Sequence, residues 1–193
     1  YGLCFARKHL TEKNPPVFVE GYVDVITAHQ AGFTQCIATL GTSMTEEHGR
    51  LLVRYSPKVI ACYDGDAAGI KATLRASAIW ESLGVENAEA RIARLPAGED
   101  PDSVIKRGDT ALFQKALDTA IPRVEYQIEL ALQSYDLDNM DERGNALKEL
   151  LSILATISSL VDRDRYIQRY AYLHPTYAYN AGRAIMQIAA EVE

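Results

Sequence analysis

Apolar and polar positions follow two distinct rhythms along the chain. In the first half, short apolar runs alternate with stretches of helical period. PVFVE (16–20), QCIATLG (35–41) and KVIACYD (58–64) are apolar runs of strand length, and AEARIARLP (88–96) alternates as a half-buried strand does. Between them, GYVDVITAHQAG (21–32) predicts a helix closed by Gly32, and TEEHGRLLVRY (45–55) one with Thr45 as N-cap and two acids in its first turn. A third helix is predicted from about Ala67, with Ile70, Leu74 and Ala78 on one face and Gly84 as its stop. Short connections in a β-α-β-α-β-α-β order predict an α/β domain with a mainly parallel central sheet flanked by helices. Ligands of such sheets bind beyond the carboxyl ends of the strands.

After LPAGEDPDSVIKRGD (95–109) the rhythm becomes helical throughout: ALFQKALDTA, a Pro122-initiated PRVEYQIELALQSY, DERGNALKELLSILATI, DRDRYIQRYAYL and TYAYNAGRAIMQIAA. An all-helical subdomain is therefore expected to follow, with the boundary near Gly108. No internal repeat or low-complexity tract interrupts the chain.

Bulk properties narrow the classes. The chain has 193 residues, 48% of them hydrophobic, enough for one substantial domain and a smaller one. It has no apolar run of transmembrane length and no signal-like opening, so no membrane association and a cytoplasmic location are expected. Cys4, Cys36 and Cys62 lack metal-ligand spacing, and neither a disulfide framework nor zinc is expected. Of the net charge of −6, Val17–Asp102 carries −5, from twelve acids against seven bases. A chain that grips nucleic acid unaided carries a basic patch, and none stands out here.

The acids are the informative feature. Glu20 ends the first predicted strand, Asp64 and Asp66 the third, and Asp100 and Asp102 follow the fourth. Asp24, about one helical turn beyond Glu20, faces back toward the same sheet edge. Like charges in one place need cations, and divalent metal ions are the economical source. Taken singly, each has a simpler explanation: a solvated turn for the Asp-Gly-Asp, a helix-start acid for Glu20, a proline turn for GEDPD. Gly41 and Thr42 either turn the chain or offer N–H groups and a hydroxyl to phosphate. Lys71 and Arg75, one turn apart, are solvated charges or partners of the acids or of phosphate. His9, His29, His48 and His174 form no ligand or nucleophile-base spacing. The tyrosines of YIQRYAYLHPTYAY are read as packing residues rather than a base-stacking platform.

Four ordered motifs, FVEGYVDVITAHQAGF, IATLGTSMTEEH, VIACYDGDAAGIKA and LPAGEDPDSVI, resemble the TOPRIM core of bacterial replicative primases of the DnaG type. The likeness takes in the opening YGLCFARK and weakens after about Asp136. It implies an N-terminal flank of the polymerase core (1–16), a TOPRIM domain (17–108) and a helical subdomain (109–193). It implies a DNA-dependent RNA polymerase that makes primers by nucleotidyl transfer, using Mg2+, for which Mn2+ substitutes. On this resemblance Glu20, Asp64 and Asp66 are catalytic metal-binding acids, with Asp24, Asp100 and Asp102 as further acids of the site. Gly41, Thr42 and Lys71 are set against nucleotide phosphate, and Gly21, Gly65 and Gly69 are structural turns.

The implied partners are a single-stranded DNA template, ribonucleoside triphosphates and the replicative helicase. Primases of this type carry a zinc-binding domain and a basic polymerase subdomain before this region and a helicase-binding domain after it. None of the three is expected in this chain, so the segment alone is expected to be inactive. Two alternatives remain open: another TOPRIM enzyme, a nuclease or topoisomerase, and a noncatalytic nucleic-acid-binding module. No tyrosine is convincingly placed as a topoisomerase nucleophile, and a binder of polyanions gains nothing from clustered carboxylates.

Overall fold

The computed structural model describes residues 1–39, 44–86 and 88–192. Gly41 and Thr42 lie outside the described residues. The four apolar runs form β1 (Val17–Val19), β2 (Cys36–Ala38), β3 (Lys58–Ala61) and β4 (Glu89–Ile92), joined by a short β5 (Ile121–Pro122). Among the described residues the sheet order is β2-β1-β3-β4-β5. β1 pairs in parallel with β2 and β3, and β3 with β4, whereas β5 runs antiparallel to β4. The mainly parallel α/β sheet read from the sequence is borne out, with an antiparallel edge added.

Two helical layers cover the sheet. The preceding helix α1 spans Leu3–Ala6; α2 (Tyr22–Gln30), α3 (Glu46–Leu52), α4 (Ala67–Glu81), α5 (Pro101–Lys106) and α6 (Thr110–Asp118) follow in order. Side chains of a strand alternate between faces. Val17, Val19 and Ile60 accordingly pack with Val25 and Ala28 of α2, Val104 and Ile105 of α5, and Phe113 and Leu117 of α6. Phe18, Val59 and Ala61 belong to the opposite core, with Leu52 of α3 and Ala76 and Trp80 of α4. Thr45 caps α3 as predicted, accepting a hydrogen bond from the His48 N–H.

Some expectations are corrected. The buried face of α4 is Gly69, Thr73, Ala76, Ser77 and Trp80, while Ala78 is exposed. Hydropathy alone misses this face because two of its residues are hydroxylic. The Ser77 hydroxyl is satisfied within the helix, donating to the Thr73 carbonyl at 2.8 Å, and Trp80 Nε1 donates to the Pro57 carbonyl at 2.9 Å. Residues 101–106, for which the sequence predicts no element, form α5, with Asp100 as N-cap and Pro101 in the first turn. Pro122 does not initiate a helix: it lies in β5, and α7 (Arg123–Leu132) begins one residue later.

The chain divides into two compact units, Tyr1–Arg123 and Val124–Glu193. The change in texture near Gly108 thus falls inside the first unit, because Phe113, Ala116 and Leu117 of α6 are buried in the core of the sheet. In the second unit α7 is followed by α8 (Met140–Leu154), α9 (Leu160–Tyr170) and α10 (Ala181–Val192). The last predicted helix is interrupted: Pro175–Ala178 form a 3-10 turn before α10. Ile128, Leu150, Leu154, Ile167, Leu173 and Ile188 form this unit's own core. Tyr166 and Tyr170 are buried there, as packing residues should be, but Tyr179 is 92% exposed.

Gly69 is required by a close approach. A Cβ there would stand 2.2 Å from the Asp64 carbonyl oxygen, so the first turn of α4 lies directly on the Asp64 backbone. Gly84 differs: its φ of +67° favours glycine, but no atom lies within 4 Å of its missing Cβ. Gly69→Ala is expected to cost about 3 kcal/mol by overpacking, and Gly84→Ala about 1 kcal/mol by backbone strain. Urea unfolding of both variants checks the order; equal losses would contradict the close approach.

Candidate active site

The pairing of β1 with β3 fixes the centre of the site. Val17 aligns with Ile60 and Phe18 with Ala61, and the Cys62 N–H extends the pairing by donating to the Phe18 carbonyl at 2.8 Å. The chain leaves these neighbouring strands at the same end, carrying Glu20 from β1 and Asp64 from β3. The Glu20 charge acts directly on the Asp64 carboxyl. Burial first, then the charges of Glu20, Asp100 and Asp66, raise Asp64 from 3.8 to about 6.

The other acids are held by backbone. Asp66 is the N-cap of α4 and accepts from the Gly69 N–H at 2.7 Å. Asp100 caps α5, accepting from the Ser103 N–H at 2.6 Å. Asp24, 8% exposed, accepts from the Gly21 N–H at 2.9 Å and the Asp102 N–H at 3.3 Å. Burial raises its pKa, the two N–H groups oppose this, and the charges of Asp100 and Asp64 add to the rise.

Asp102 is different. It accepts from the Thr27 hydroxyl at 2.5 Å and pairs with Lys106 at 2.7 Å. Burial pushes its carboxyl up, but these two partners outweigh it and hold it below the ordinary range. Glu99 is likewise lowered, by Ser103 and by its ion pair with Arg107.

The arrangement therefore separates into Glu20, Asp64, Asp66 and Asp100, whose like charges raise Asp64, and Asp102 and Glu99, each paired with a cation. Oxygen donors of this kind suit hard divalent cations such as Mg2+ or Mn2+. Among the described residues, no three His, Cys, Asp or Glu side chains form a ready-made metal cage. That fits Mg2+, which usually takes one or two carboxylates and completes its shell with water and substrate phosphate. Lys71 is exposed on the second turn of α4. Cys36 and Cys62 are buried free thiols, and burial raises both.

Reading the sequence passed over Thr27, Ser103, Glu99 and Lys106. The signal for Thr27 was its place three residues after Asp24 on one helical face. For Ser103 it was the spacing from Asp100, which is that of an N-cap and its third helical residue.

Comparison with known proteins places these features in a family. Residues 17–105 match a Toprim-like family model, and residues 124–173 match the DnaB-helicase binding domain of primase. The second match corrects the expectation that a helicase-binding domain is absent from this chain, and it begins where the second compact unit does. A DNA primase of Halalkalibacterium halodurans is 36% identical over 172 residues, 89% of this chain and 28% of the relative. One of Rickettsia bellii is 40% identical over 162 residues, 82% of this chain and 26% of the relative.

Among solved structures, a DNA primase domain from Pseudomonas aeruginosa matches with a TM-score of 0.73 at 30% identity, over 98% of this chain and 58% of that one. The RNA polymerase domain of Mycobacterium tuberculosis primase DnaG, in complex with double-stranded DNA, matches with a TM-score of 0.76 at 31% identity, over 90% and 55%. The chain spans little more than a quarter of the curated relatives' length. With the TOPRIM sheet, its acid-bearing strand ends and both family matches in agreement, the chain belongs to the DnaG-type primases, of which it is a segment.

Proposed function

We propose that this segment supplies the metal-binding acids of a primase catalytic core, which joins ribonucleotides into primers on a single-stranded DNA template in the bacterial cytoplasm. The observation that carries the proposal is the meeting of Glu20 and Asp64 just beyond the carboxyl ends of adjacent central strands, where the Glu20 charge raises Asp64. The repulsion within that pair marks where a cation belongs. Glu20 and Asp64 would hold Mg2+ or Mn2+, with Asp66 and Asp100 as further acids of the site. The cation, when bound, neutralises charge on the transferring phosphate and the departing pyrophosphate. The chain's own residues orient that step: the Gly69 N–H fixes Asp66, and the Ser103 N–H fixes Asp100. Lys71 meets phosphate; Gly41 and Thr42 serve the same end as proposed from their sequence.

A nuclease or topoisomerase would use the same acids, but the relatives at 36% and 40% identity are DNA primases. The helical unit from Val124 is proposed to dock on the replicative helicase, supported by the match over 124–173. Met140, Leu160 and Val161 are exposed there, at 77%, 69% and 80%.

The raised Asp64 carboxyl has two consequences. Protonation of Asp64 favours the fold fully below 3.8, and that contribution is lost as pH rises through about 6. Without metal at pH 7.5, Asp64→Asn is therefore expected to stabilise the protein. Water screening of this partly exposed group limits the gain to about 1 kcal/mol, or roughly 2–4 °C in Tm. The same variant should lose the Tm increase that Mn2+ gives the wild type; thermal unfolding with and without Mn2+ measures both, and identical responses would refute the assignment.

Proton and metal also compete. Mn2+ affinity, followed by electron paramagnetic resonance of the free ion, is expected to be about tenfold weaker at pH 5 than at pH 7. A flat profile across that range would contradict the shared site.

Primer synthesis needs the template held as well as the metal, since misplacement by about 1 Å costs on the order of a hundredfold in rate. With a net charge of −6, residues 1–193 alone are expected to bind single-stranded DNA weakly, lose it as salt rises, and make no detectable primer. Incorporation of labelled ribonucleotides should appear when the basic subdomain of a full-length relative is joined ahead of them. Robust synthesis by the 193 residues themselves would overturn this.

A further inference from the structure

Helices α2 and α5 lie on one face of the sheet, where Val25 and Ala28 share a core with Val104 and Ile105. A polar clasp closes over that contact. Both Asp24 oxygens accept backbone N–H groups, Oδ2 from Gly21 at 2.9 Å and Oδ1 from Asp102 at 3.3 Å. Thr27, also 8% exposed, donates its hydroxyl to Asp102 Oδ1 at 2.5 Å. Asp102 Oδ2 takes the Lys106 ammonium at 2.7 Å. Each carboxylate oxygen of Asp24 and Asp102 thus already has a donor.

The clasp joins the two segments that carry Glu20 and Asp100. Gly21, bound by Asp24, directly follows Glu20. Asp102, bound by both Asp24 and Thr27, follows Asp100 with only Pro101 between. Without the Thr27 hydroxyl, Asp102 keeps the Lys106 pair but loses its side-chain tie to α2. The α5 N-terminus is then held to α2 only by the long Asp102 N–H bond to Asp24 and the apolar core, so it shifts more readily relative to Glu20 and carries Asp100 with it.

We propose that Thr27 is a positioning residue of the acid site, and that Asp24 and Asp102 work with it as a clasp that sets Glu20 and Asp100 rather than as metal ligands. This rests on the reading that the cation binds at Glu20 and Asp64. Residues behind a metal's direct ligands typically govern affinity 10–100-fold. The ligands themselves govern it at least as strongly.

The test is an Mn2+ titration of the full-length protein at pH 7.5, read by electron paramagnetic resonance well below Tm, with Tm measured in parallel. Thr27→Val removes the hydroxyl and keeps the branched shape; it is expected to weaken Mn2+ about tenfold. Thr27→Ser restores the donor and should stay within about twofold of wild type. Asp102→Asn keeps an oxygen to accept from Thr27 and should stay within about threefold, whereas Asp64→Asn should lose well over tenfold. In primer synthesis, Thr27→Val should raise the Mn2+ concentration for half-maximal rate more than it lowers the rate at saturation.

A Thr27→Val protein with lower Tm but unchanged Mn2+ affinity would show a purely structural residue and overturn the proposal. So would a serine variant as weak as the valine one. Loss by Asp102→Asn equal to that by Asp64→Asn would make Asp102 a ligand and overturn the clasp. Wild-type affinity in Asp64→Asn would instead refute the underlying cation site, whatever Thr27 does.

Discussion

Parallel pairing on both edges of β1 is the constraint from which the rest of the site follows. Val17, Phe18 and Val19 align with Cys36, Ile37 and Ala38 on one side, and Val17 and Phe18 with Ile60 and Ala61 on the other. Because the strands run the same way, their carboxyl ends finish at one edge, and every residue just beyond them is delivered to the same place. A slip of one residue would send Val17 and Val19 into the opposite layer and Phe18 into theirs, so the two apolar cores fix the register. The separation of Glu20 from Asp64 is thereby set by the cores rather than by either acid. This is how like charges can be held together despite their repulsion: apolar burial supplies the free energy.

The repulsion is also graded across the site. Lys106 and Arg107, at the far end of α5, reach back to Asp102 and Glu99, so one flank is neutralised by the chain itself. At Glu20 and Asp64, by contrast, burial and like charge raise the Asp64 carboxyl. The protein thus distinguishes acids that end a structural argument from acids that await a positive charge, although all lie within one stretch of surface chemistry.

Much of this was legible in the sequence, and the exceptions have physical causes. The four main strands and the helices starting at Tyr22, Glu46 and Ala67 follow from apolar period and caps. The convergence of acids follows from strand order alone. The buried face of α4 was misread because Thr73 and Ser77 look polar while the fold satisfies at least the serine internally. α5 was missed because six residues carry too little period to outweigh a Gly-Glu-Asp-Pro turn signal. The unit boundary was placed too early because α6, though it follows the change in texture, buries Phe113 in the sheet's core. The Thr27–Asp102 bond spans 75 positions, and nothing local announces it.

The sheet's borders have a consequence for how the molecule behaves in a crowded solution. Pro122 sits in the outermost strand β5, next to Arg91 of β4, and a proline there has no amide hydrogen to offer a newcomer. At the other border, the Ala38 N–H of β2 is already taken by the Tyr1 carbonyl. Exposed strand borders are templates for chain-to-chain pairing. With a missing donor at one border and an occupied one at the other, this short sheet is poorly suited to recruit further strands.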